Sequence, residues 1–357
     1  MSARVERLYI TLTQRCNMAC PHCWVAGSGS WREQDQQPEL TLDEYISTIE
    51  QLRPLGIKRL KLTGGEPLLR KEIVLSLCDY CRRNGLGLAL ETNATLLDKE
   101  LMDALAGLRD FEIGISVDFP NDEGFDKFRK HPGAFARVNS AFRCLGAAGI
   151  GAVGIMTVFR DNLPLMFETA SYVVEELGGS VKFSVCVGIG RAQADMKDRL
   201  LSPGQVFEYY DLVEQVADKY PGKIHSMIPM AFYRPGTKVK LGRCDPSTTL
   251  GLLPDGGVSL CGIGVTNKQA VFGNVRQATV LDIMQHSSEL QMLGHSDEMK
   301  YCGVCSKCMF SQACGHLCPA HSFEMFGDYS GPYPVCQSLY ESGLFPKDFL
   351  VGPHDHE

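Results

Sequence analysis

The sequence predicts an α/β protein in which a parallel sheet curves into a partial (β/α)6 barrel of the TIM type. Short apolar runs alternate six times with amphipathic stretches whose apolar residues recur three and four apart. Several runs are rich in β-branched residues and end in polar or glycine-rich turns. The chain has 357 residues, 44% of them hydrophobic, which is enough for a sizeable core.

Each predicted strand is followed by a predicted helix. The predicted strands are 8–12, 58–62, 87–91, 111–117, 152–158 and 181–187. The predicted helices are 41–52, 73–83, 99–108, 134–147, 165–177 and 203–219. The turn from Leu62 to Pro67 shows that functional groups follow the strands directly, so we expect the active face at the carboxyl ends of the strands.

The alternation stops after residue 187, and a region rich in Gly, Pro and Cys follows from about residue 233. The predicted organisation is a barrel over 1–200, a helical linker over 201–235, a small cysteine-rich domain over 236–345 and a tail over 346–357. A small domain with little regular structure needs bound ligands to stabilise it. Its cysteines would supply them.

Composition and charge exclude several classes of function. The net charge is −7 and the pI about 5.8, without basic blocks, so we expect no nucleic-acid partner. No apolar run is long enough to span a membrane, and the first residues carry no signal region, so we expect a cytoplasmic protein without membrane contact. Fifteen cysteines in such a chain indicate metal or cluster ligation instead of disulfides.

A CxxxCxxC motif, formed by Cys16, Cys20 and Cys23, comes directly after the first predicted strand. A [4Fe–4S] cluster normally takes four thiolates, so three leave one iron open to a small molecule. The alternative for an isolated motif of this kind is a zinc knuckle or a set of spare thiols.

Together with the turn Gly64-Gly65-Glu66 after the second strand, this motif resembles the radical S-adenosylmethionine (SAM) superfamily. The resemblance implies that SAM chelates the open iron and that the turn contacts its amino group. Glycine suits a turn whose backbone approaches a ligand closely. The family usually has an aromatic residue before the third cysteine, where this chain has His22.

Polar residues at the ends of the third and fourth strands extend the resemblance. It implies that Ser116 and Asp118 contact the SAM ribose and that Arg129 binds its carboxylate. Further cofactor-binding positions are Thr92 and Asn93. A polar residue at a strand end is also a common helix cap, so the order of these residues is what carries the assignment.

The cysteines after residue 240 resemble the SPASM domain, which holds two auxiliary [4Fe–4S] clusters. The resemblance assigns an outer cluster to Cys305, Cys308, Cys314 and Cys336. It assigns an inner cluster to Cys244, Cys261 and Cys318. The fourth inner position is either open or filled by Cys302, which is otherwise spare; a zinc ribbon is the alternative for the whole set.

The remaining cysteines are expected in the core of the protein. They are Cys78, Cys81, Cys144 and Cys186. The run 187–192, with a Gly-Arg-Ala turn like that of many SPASM enzymes, is expected to border the substrate cavity or to be a plain glycine turn.

The resemblance implies that a flavodoxin or ferredoxin reduces the first cluster, and that SAM is then cleaved to methionine and a 5'-deoxyadenosyl radical. The radical abstracts hydrogen from the substrate, and the auxiliary clusters take a second electron, so the net reaction is an oxidation. SPASM proteins most often modify a ribosomally made peptide by crosslinking, epimerisation or excision. The barrel begins at about Leu8, so leader recognition by a separate protein is expected.

Two other substrate classes and one non-enzymatic role stay open. The first class is a tetrapyrrole of haem biosynthesis, which a hydrophobic cavity lined with arginine would favour. The second is a small alcohol or a sulfatase residue. The non-enzymatic role is an electron carrier or iron–sulfur scaffold, although a carrier has no use for Gly64-Gly65-Glu66.

Overall fold

The computed structural model describes residues 4–25 and 38–351. All six predicted strands are present and pair in parallel in sequence order, which confirms the α/β fold and its parallel sheet. They are β1 (Arg7–Thr11), β2 (Arg59–Thr63), β3 (Gly87–Thr92), β4 (Phe111–Ser116), β5 (Ala152–Val158) and β6 (Ser180–Val185).

The helices between these strands follow the predicted positions, with two differences. They are α1 (Leu42–Leu52), α2 (Lys71–Asn84), α3 (Lys99–Ala106), α4 (Asp122–Arg129), α5 (Ala134–Ala147) and α6 (Met166–Ser171). Helix α4 was not predicted; it starts where Asn121 Oδ1 accepts a hydrogen bond from Gly124 N at 2.9 Å. Helix α6 is shorter than predicted because it continues as a π-helix over Tyr172–Glu176.

After β6, short elements alternate with irregular chain. The helices are α7 (Ala192–Asp195), α8 (Pro203–Lys219), α9 (Val280–His286), α10 (Ser288–Gly294), α11 (Ser311–Cys314), α12 (Pro319–Phe326) and α13 (Pro334–Glu341). The strands are β7 (Ile224–Ser226), β8 (Lys240–Leu241), β9 (Thr249–Leu252), β10 (Gly257–Ser259) and β11 (Gly273–Asn274).

These later strands extend the barrel sheet at both of its edges. The strand order is β11-β10-β9-β1-β2-β3-β4-β5-β6-β7-β8, with β9 parallel to β1 and β7 parallel to β6. The cysteine-rich region is therefore hydrogen-bonded to the barrel through β9. The domain bounds given above stay predictions, since one sheet crosses them.

Strand β5 shows how the sequence builds the two faces of the sheet. Ala152, Gly154, Met156 and Val158 are buried, and the residues between them are half-buried. Alternate side chains of a strand point to opposite faces, so one set packs under the helices and the other faces the barrel interior. Ile155 belongs to the second set and lines the interior cavities described below.

In the part of the chain that the structure describes, no helix is both long and apolar enough to span a bilayer. The longest helix, α8, has buried tyrosines and also carries Glu and Asp residues.

Helix α1 begins with a capping box that should set its start. Thr41 Oγ1 accepts a hydrogen bond from Glu44 N at 3.3 Å, and Glu44 Oε2 accepts one from Thr41 N at 2.7 Å. We predict that Thr41→Ala lowers the free energy of unfolding by about 1 kcal/mol, because the helix loses a capping acceptor. Urea denaturation would measure the loss. Thr41→Ser keeps the hydroxyl and should leave the midpoint nearly unchanged; equal loss in both variants would contradict the cap.

Candidate active site and cluster ligands

The loop that carries the CxxxCxxC motif is held by backbone hydrogen bonds to the turn after β2. Gly65 N donates to Thr13 O at 2.8 Å, and Glu66 N donates to Arg15 O at 2.7 Å. A Cβ added at Gly65 would lie 2.1 Å from Arg15 O, and one added at Gly64 would lie 2.6 Å from Thr13 O. The glycines are required because two stretches of backbone pack directly on each other. The sequence explained these glycines by the close approach of a ligand; the structure adds their packing against the backbone before Cys16.

The three thiols of the motif line one cavity of about 350 Å³ at the carboxyl ends of the strands. Cys16 is exposed, Cys23 is half-buried and Cys20 is buried, and all three are free thiols. The predicted cofactor-binding residues Gly64, Gly65, Thr92, Asn93, Ser116 and Arg129 line the same cavity. The structure thus brings together the candidate ligands and most of the predicted SAM contacts.

Glu66 is fully buried and organises the end of β3. Its carboxylate accepts hydrogen bonds from Thr92 Oγ1 at 2.6 Å, from Asn93 N at 2.8 Å and from Leu68 N at 3.0 Å. Burial raises the pKa of Glu66, although these donors work in the opposite direction. The side chain therefore acts within the protein, which leaves the backbone of the turn to face the cavity.

The side chain of Asn93 connects β3 to the cysteine loop. Its Nδ2 donates to Asn17 Oδ1 at 2.8 Å and lies 4.0 Å from the Cys16 thiol. Asn17 Nδ2 in turn donates to Thr95 Oγ1 at 2.9 Å. Asn17 and Thr95 were not among the predicted site residues, because a polar residue inside a loop gives no signal in the sequence.

Arg129 lies at the end of α4 and links Asp118 to the second cysteine of the motif. Its Nη2 donates to Asp118 Oδ2 at 2.6 Å, and its Nη1 lies 3.8 Å from the Cys20 thiol. Burial raises the pKa of Cys20, and the charge of Arg129 opposes that shift. Asp118 is fully buried, and its other oxygen accepts from Thr157 N at 3.0 Å. In this arrangement Asp118 positions Arg129, while Ser116 faces the cavity.

His22 takes the place of the aromatic residue that the family pattern would have. Its ring stacks on Phe128 at 4.9 Å, and its Nδ1 is buried without a hydrogen-bond partner. Burial lowers the pKa of His22 to about 4, so the ring is neutral at physiological pH. A neutral flat ring at the cavity wall can stack as an aromatic residue does.

The run 187–192 borders the cavity, as predicted, and also supports the third cysteine, which was not predicted. Arg191 N donates to Cys23 O at 2.9 Å, and Arg191 Nη1 donates to Cys20 O at 3.0 Å. A Cβ at Gly190 would lie 2.4 Å from Trp24 O. The Gly190-Arg191 pair is the feature of the sequence that could have indicated this contact with the cysteine loop.

The outer set of thiols is gathered in one small cavity. A space of about 20 Å³ is lined by Cys305, Cys308, Cys314 and Cys336, all four of the expected ligands. Cys302 is exposed. Burial raises the pKa of Cys305, a thiol of the outer set, and the nearby Cys302 adds to that shift.

The inner set is brought together from three separate segments. Cys244 N donates to Leu317 O at 3.1 Å, which places Cys244 beside Cys318. Burial raises the pKa of Cys244, and the neighbouring Cys318 and Cys261 raise it further. Cys261 follows β10 and packs against β9, where a Cβ at Gly251 would lie 2.5 Å from Cys261 O. Cys318 also lines the cavity that holds the CxxxCxxC thiols.

The expectation for the core cysteines is right at three positions. Cys78, Cys81 and Cys186 are buried. Cys144 is exposed, so its placement in the core was wrong; it lies on α5 away from the buried side of that helix, which Ala141 and Leu145 form.

The donor set fits iron–sulfur clusters. No group of three or more Cys, His, Asp or Glu side chains within residues 4–25 and 38–351 is arranged to hold a single metal ion. In a cluster each thiolate binds its own iron, so the ligands need not converge on one point. Three sets of free cysteines, with Arg129 beside one of them, provide such donors.

The close packing at Gly65 gives a direct test of how the first set is held. We predict that Gly65→Ala removes the iron bound at Cys16, Cys20 and Cys23, because the new methyl group displaces Arg15 and the loop after it. Iron and sulfide analysis after anaerobic reconstitution should show a loss of about four irons per chain. Gly146→Ala is the control, since nothing lies within 4 Å of a Cβ there. Full iron content in Gly65→Ala would contradict the packing argument.

Comparisons with known proteins agree with this geometry. The family model of the Radical SAM superfamily matches residues 10–169, and that of SPASM, an iron-sulfur cluster-binding domain, matches residues 244–309. The AdoMet-dependent heme synthase of Methanosarcina barkeri is 28% identical over 349 residues, covering 93% of this chain and 95% of that protein.

A second relative and one solved structure are also similar to this chain along most of its length. The PqqA peptide cyclase of Methylocella silvestris is 25% identical over 92% of this chain and 86% of its own length. The crystal structure of Streptococcus suis SuiB bound to S-adenosylmethionine superposes with a TM-score of 0.72 at 13% identity, covering 94% of this chain and 78% of SuiB. This chain therefore has a radical SAM domain over residues 10–169 and a SPASM domain over residues 244–309, with S-adenosylmethionine, a [4Fe–4S] cluster and auxiliary clusters as its cofactors.

Proposed function

We propose that this radical SAM enzyme oxidises a tetrapyrrole that bears carboxylate side chains. The observation that carries the proposal is an excess of positive charge in the barrel interior, which Lys182 connects to the cavity of the cysteine motif. The full-length similarity to AdoMet-dependent heme synthases supports the same substrate class. Peptide modification, which the sequence favoured, becomes the second candidate.

The interior is a continuous space that begins at the cysteine motif. A second cavity of about 610 Å³ shares Glu91, Gly114, Ile155, Lys182 and Met227 with the first one. Six cations and two carboxylates line this second cavity: Arg7, Arg59, Lys61, Lys182, Lys223 and Lys240 against Glu91 and Glu112. Such a lining attracts an anionic substrate into the barrel interior.

The charges at the junction of the two cavities do not cancel. Lys61 Nζ donates to Glu91 Oε1 at 2.7 Å, whereas Lys182 Nζ lies 3.8 Å from the same oxygen. Burial would raise the pKa of Glu91, but Lys61 and then Lys182 outweigh it and lower that pKa to about 2. One carboxylate thus faces two ammonium groups. Lys182 is left able to bind a substrate carboxylate.

The chain's own residues would bind and orient SAM and exclude water around it. Arg129 lies where it could bind the SAM carboxylate, with Asp118 fixing its direction. The neutral ring of His22 and the backbone at Gly64 and Gly65 form the adjoining wall. When bound and reduced by a flavodoxin or ferredoxin, the cluster supplies the electron that cleaves SAM to methionine and a 5'-deoxyadenosyl radical. Lys182 would hold the substrate so that its reacting C–H group faces that radical.

A ribosomally made peptide is the second candidate, favoured by the similarity to a PqqA peptide cyclase over 92% of this chain. An acidic peptide would use the same cationic interior. A carrier without substrate is not favoured, because an electron carrier needs no cavity of about 350 Å³ beside its cluster ligands.

The cysteine motif can be tested separately from the substrate. We predict that Cys16→Ala, Cys20→Ala and Cys23→Ala together abolish 5'-deoxyadenosine formation with dithionite and SAM, while about eight irons per chain stay bound. Chromatography and iron analysis would measure the two quantities. Cys144→Ala is the matched control, since that thiol is exposed on α5. Retained SAM cleavage in the triple variant would overturn the site assignment.

The substrate class can be tested with an iron-loaded coproporphyrin and with Lys182→Met. We expect the wild-type protein to consume the porphyrin together with SAM under anaerobic conditions. Lys182→Met should raise the KM for the porphyrin about tenfold or more, because a charge-assisted contact contributes about 1.5–3 kcal/mol. Lys99→Met, at an exposed site on α3, is the control. No porphyrin turnover, with turnover of an acidic precursor peptide instead, would favour the second candidate.

A further inference from the structure

The inner set of thiols is one donor short of a complete [4Fe–4S] ligand set. Cys244, Cys261 and Cys318 supply three thiolates. Cys302, which the sequence offered as a fourth ligand, is exposed and lies near Cys305 of the outer set. The fourth donor has to come from another residue type if the protein supplies one.

His321 lies where that donor is needed. It follows Cys318 by three residues at the start of α12, and residues three apart on a helix are neighbours on one side. Its side chain contacts the Cys318 thiol, and both line the cavity that holds the CxxxCxxC motif. Its Nδ1 is buried and has no hydrogen-bond partner. A buried ring nitrogen without a partner is costly unless it binds something.

The spacing and the chemistry both suit ligation. Pairs of thiolates spaced C-x-x-C commonly bind neighbouring irons of one cluster, and Cys318-Pro-Ala-His321 has the same spacing with imidazole as the second donor. Imidazole replaces thiolate as an iron ligand in Rieske centres. We infer that His321 is the fourth protein ligand of the inner auxiliary cluster, bound through a ring nitrogen.

Other polar side chains near these thiols are Asp245, Tyr9, Tyr329 and Tyr333. Asp245 Oδ1 is already used, since it accepts hydrogen bonds from Ser247 N at 3.1 Å and from Ser247 Oγ at 2.6 Å. Imidazole nitrogen suits iron as a ligand, and none of the tyrosines has the three-residue spacing to Cys318 that His321 has. A buried histidine of this region, His316, is already used: its Nδ1 lies 2.9 Å from Gly331 O.

A histidine ligand has two consequences for the enzyme. All four irons of the inner cluster have protein ligands, so the cluster takes up an electron and does not bind substrate. The neutral imidazole also makes the cluster easier to reduce than four thiolates would, because it adds no negative charge. This inference depends on the cluster assignment and not on the identity of the substrate.

Nitrogen hyperfine spectroscopy tests the inference without any assay of activity. The full chain carrying Cys16→Ala, Cys20→Ala and Cys23→Ala removes the first cluster from the spectrum. It would be labelled with ¹⁵N-histidine, reconstituted anaerobically and reduced with dithionite. Pulsed EPR should then show the strong ¹⁵N coupling of a directly bound imidazole. The coupling should disappear when His321→Cys is added, with about eight irons per chain retained.

His321→Cys also keeps the test valid if removal of the ligand disturbs the fold, because the new thiol can take the vacant position. Its cluster should be reduced at a lower potential than that of the parent. His295→Ala is the control, at an exposed histidine in the same region, and should keep the coupling. A coupling that persists in His321→Cys, or only a weak remote coupling in the parent with about eight irons bound, would overturn the inference.

Discussion

The site depends on a short stretch of backbone pairing between the turn after β2 and the segment before Cys16. Gly65 N and Glu66 N donate to the carbonyls of Thr13 and Arg15, and the two backbones approach so closely that no side chain fits at Gly65. Hydrogen bonds of this kind have direction and fixed length. They set the position of the cysteine loop relative to the sheet, and Asn93, Arg129 and Arg191 add further contacts to that loop.

Buried charge is the second constraint on this site. Arg129 is buried beside Cys20, and leaving such a charge unpaired would cost several kcal/mol, in the range of about 3–5. Asp118 provides the partner at 2.6 Å, and β5 holds Asp118 in turn through Thr157 N. One cation is thereby fixed at the cavity wall. The same logic at Glu91 leaves two ammonium groups against one carboxylate, so the barrel interior favours anions.

The shared sheet joins the two cluster regions into one site. Because β9 pairs with β1, the segments around Cys244 and Cys261 are placed against the first strand of the barrel. Cys318 and His321 consequently reach the cavity that contains the CxxxCxxC thiols. A cluster held by Cys318 would therefore lie beside this cavity, where it could accept an electron from a substrate. Expected as a separate appendage, the cysteine-rich region forms part of the cavity wall.

The sequence by itself determined the local features: the six strand and helix units, the CxxxCxxC loop, Gly64-Gly65-Glu66 and the four outer thiols. The strand and helix units and the two motifs depend on residues close in the chain, so periodicity and spacing reveal them, whereas the resemblance to the SPASM domain supplied the outer thiols. Helix α4 was not predicted because it has only eight residues and carries Gly124 in its first turn, although Phe125 and Phe128 recur three apart on its buried side. Only the tertiary structure decided that Asp118 pairs with Arg129, that Arg191 supports Cys23, and that His321 and Lys182 face the same cavity. The residues of each pair lie in different elements, and their relative positions are set by how those elements pack, which no local pattern records.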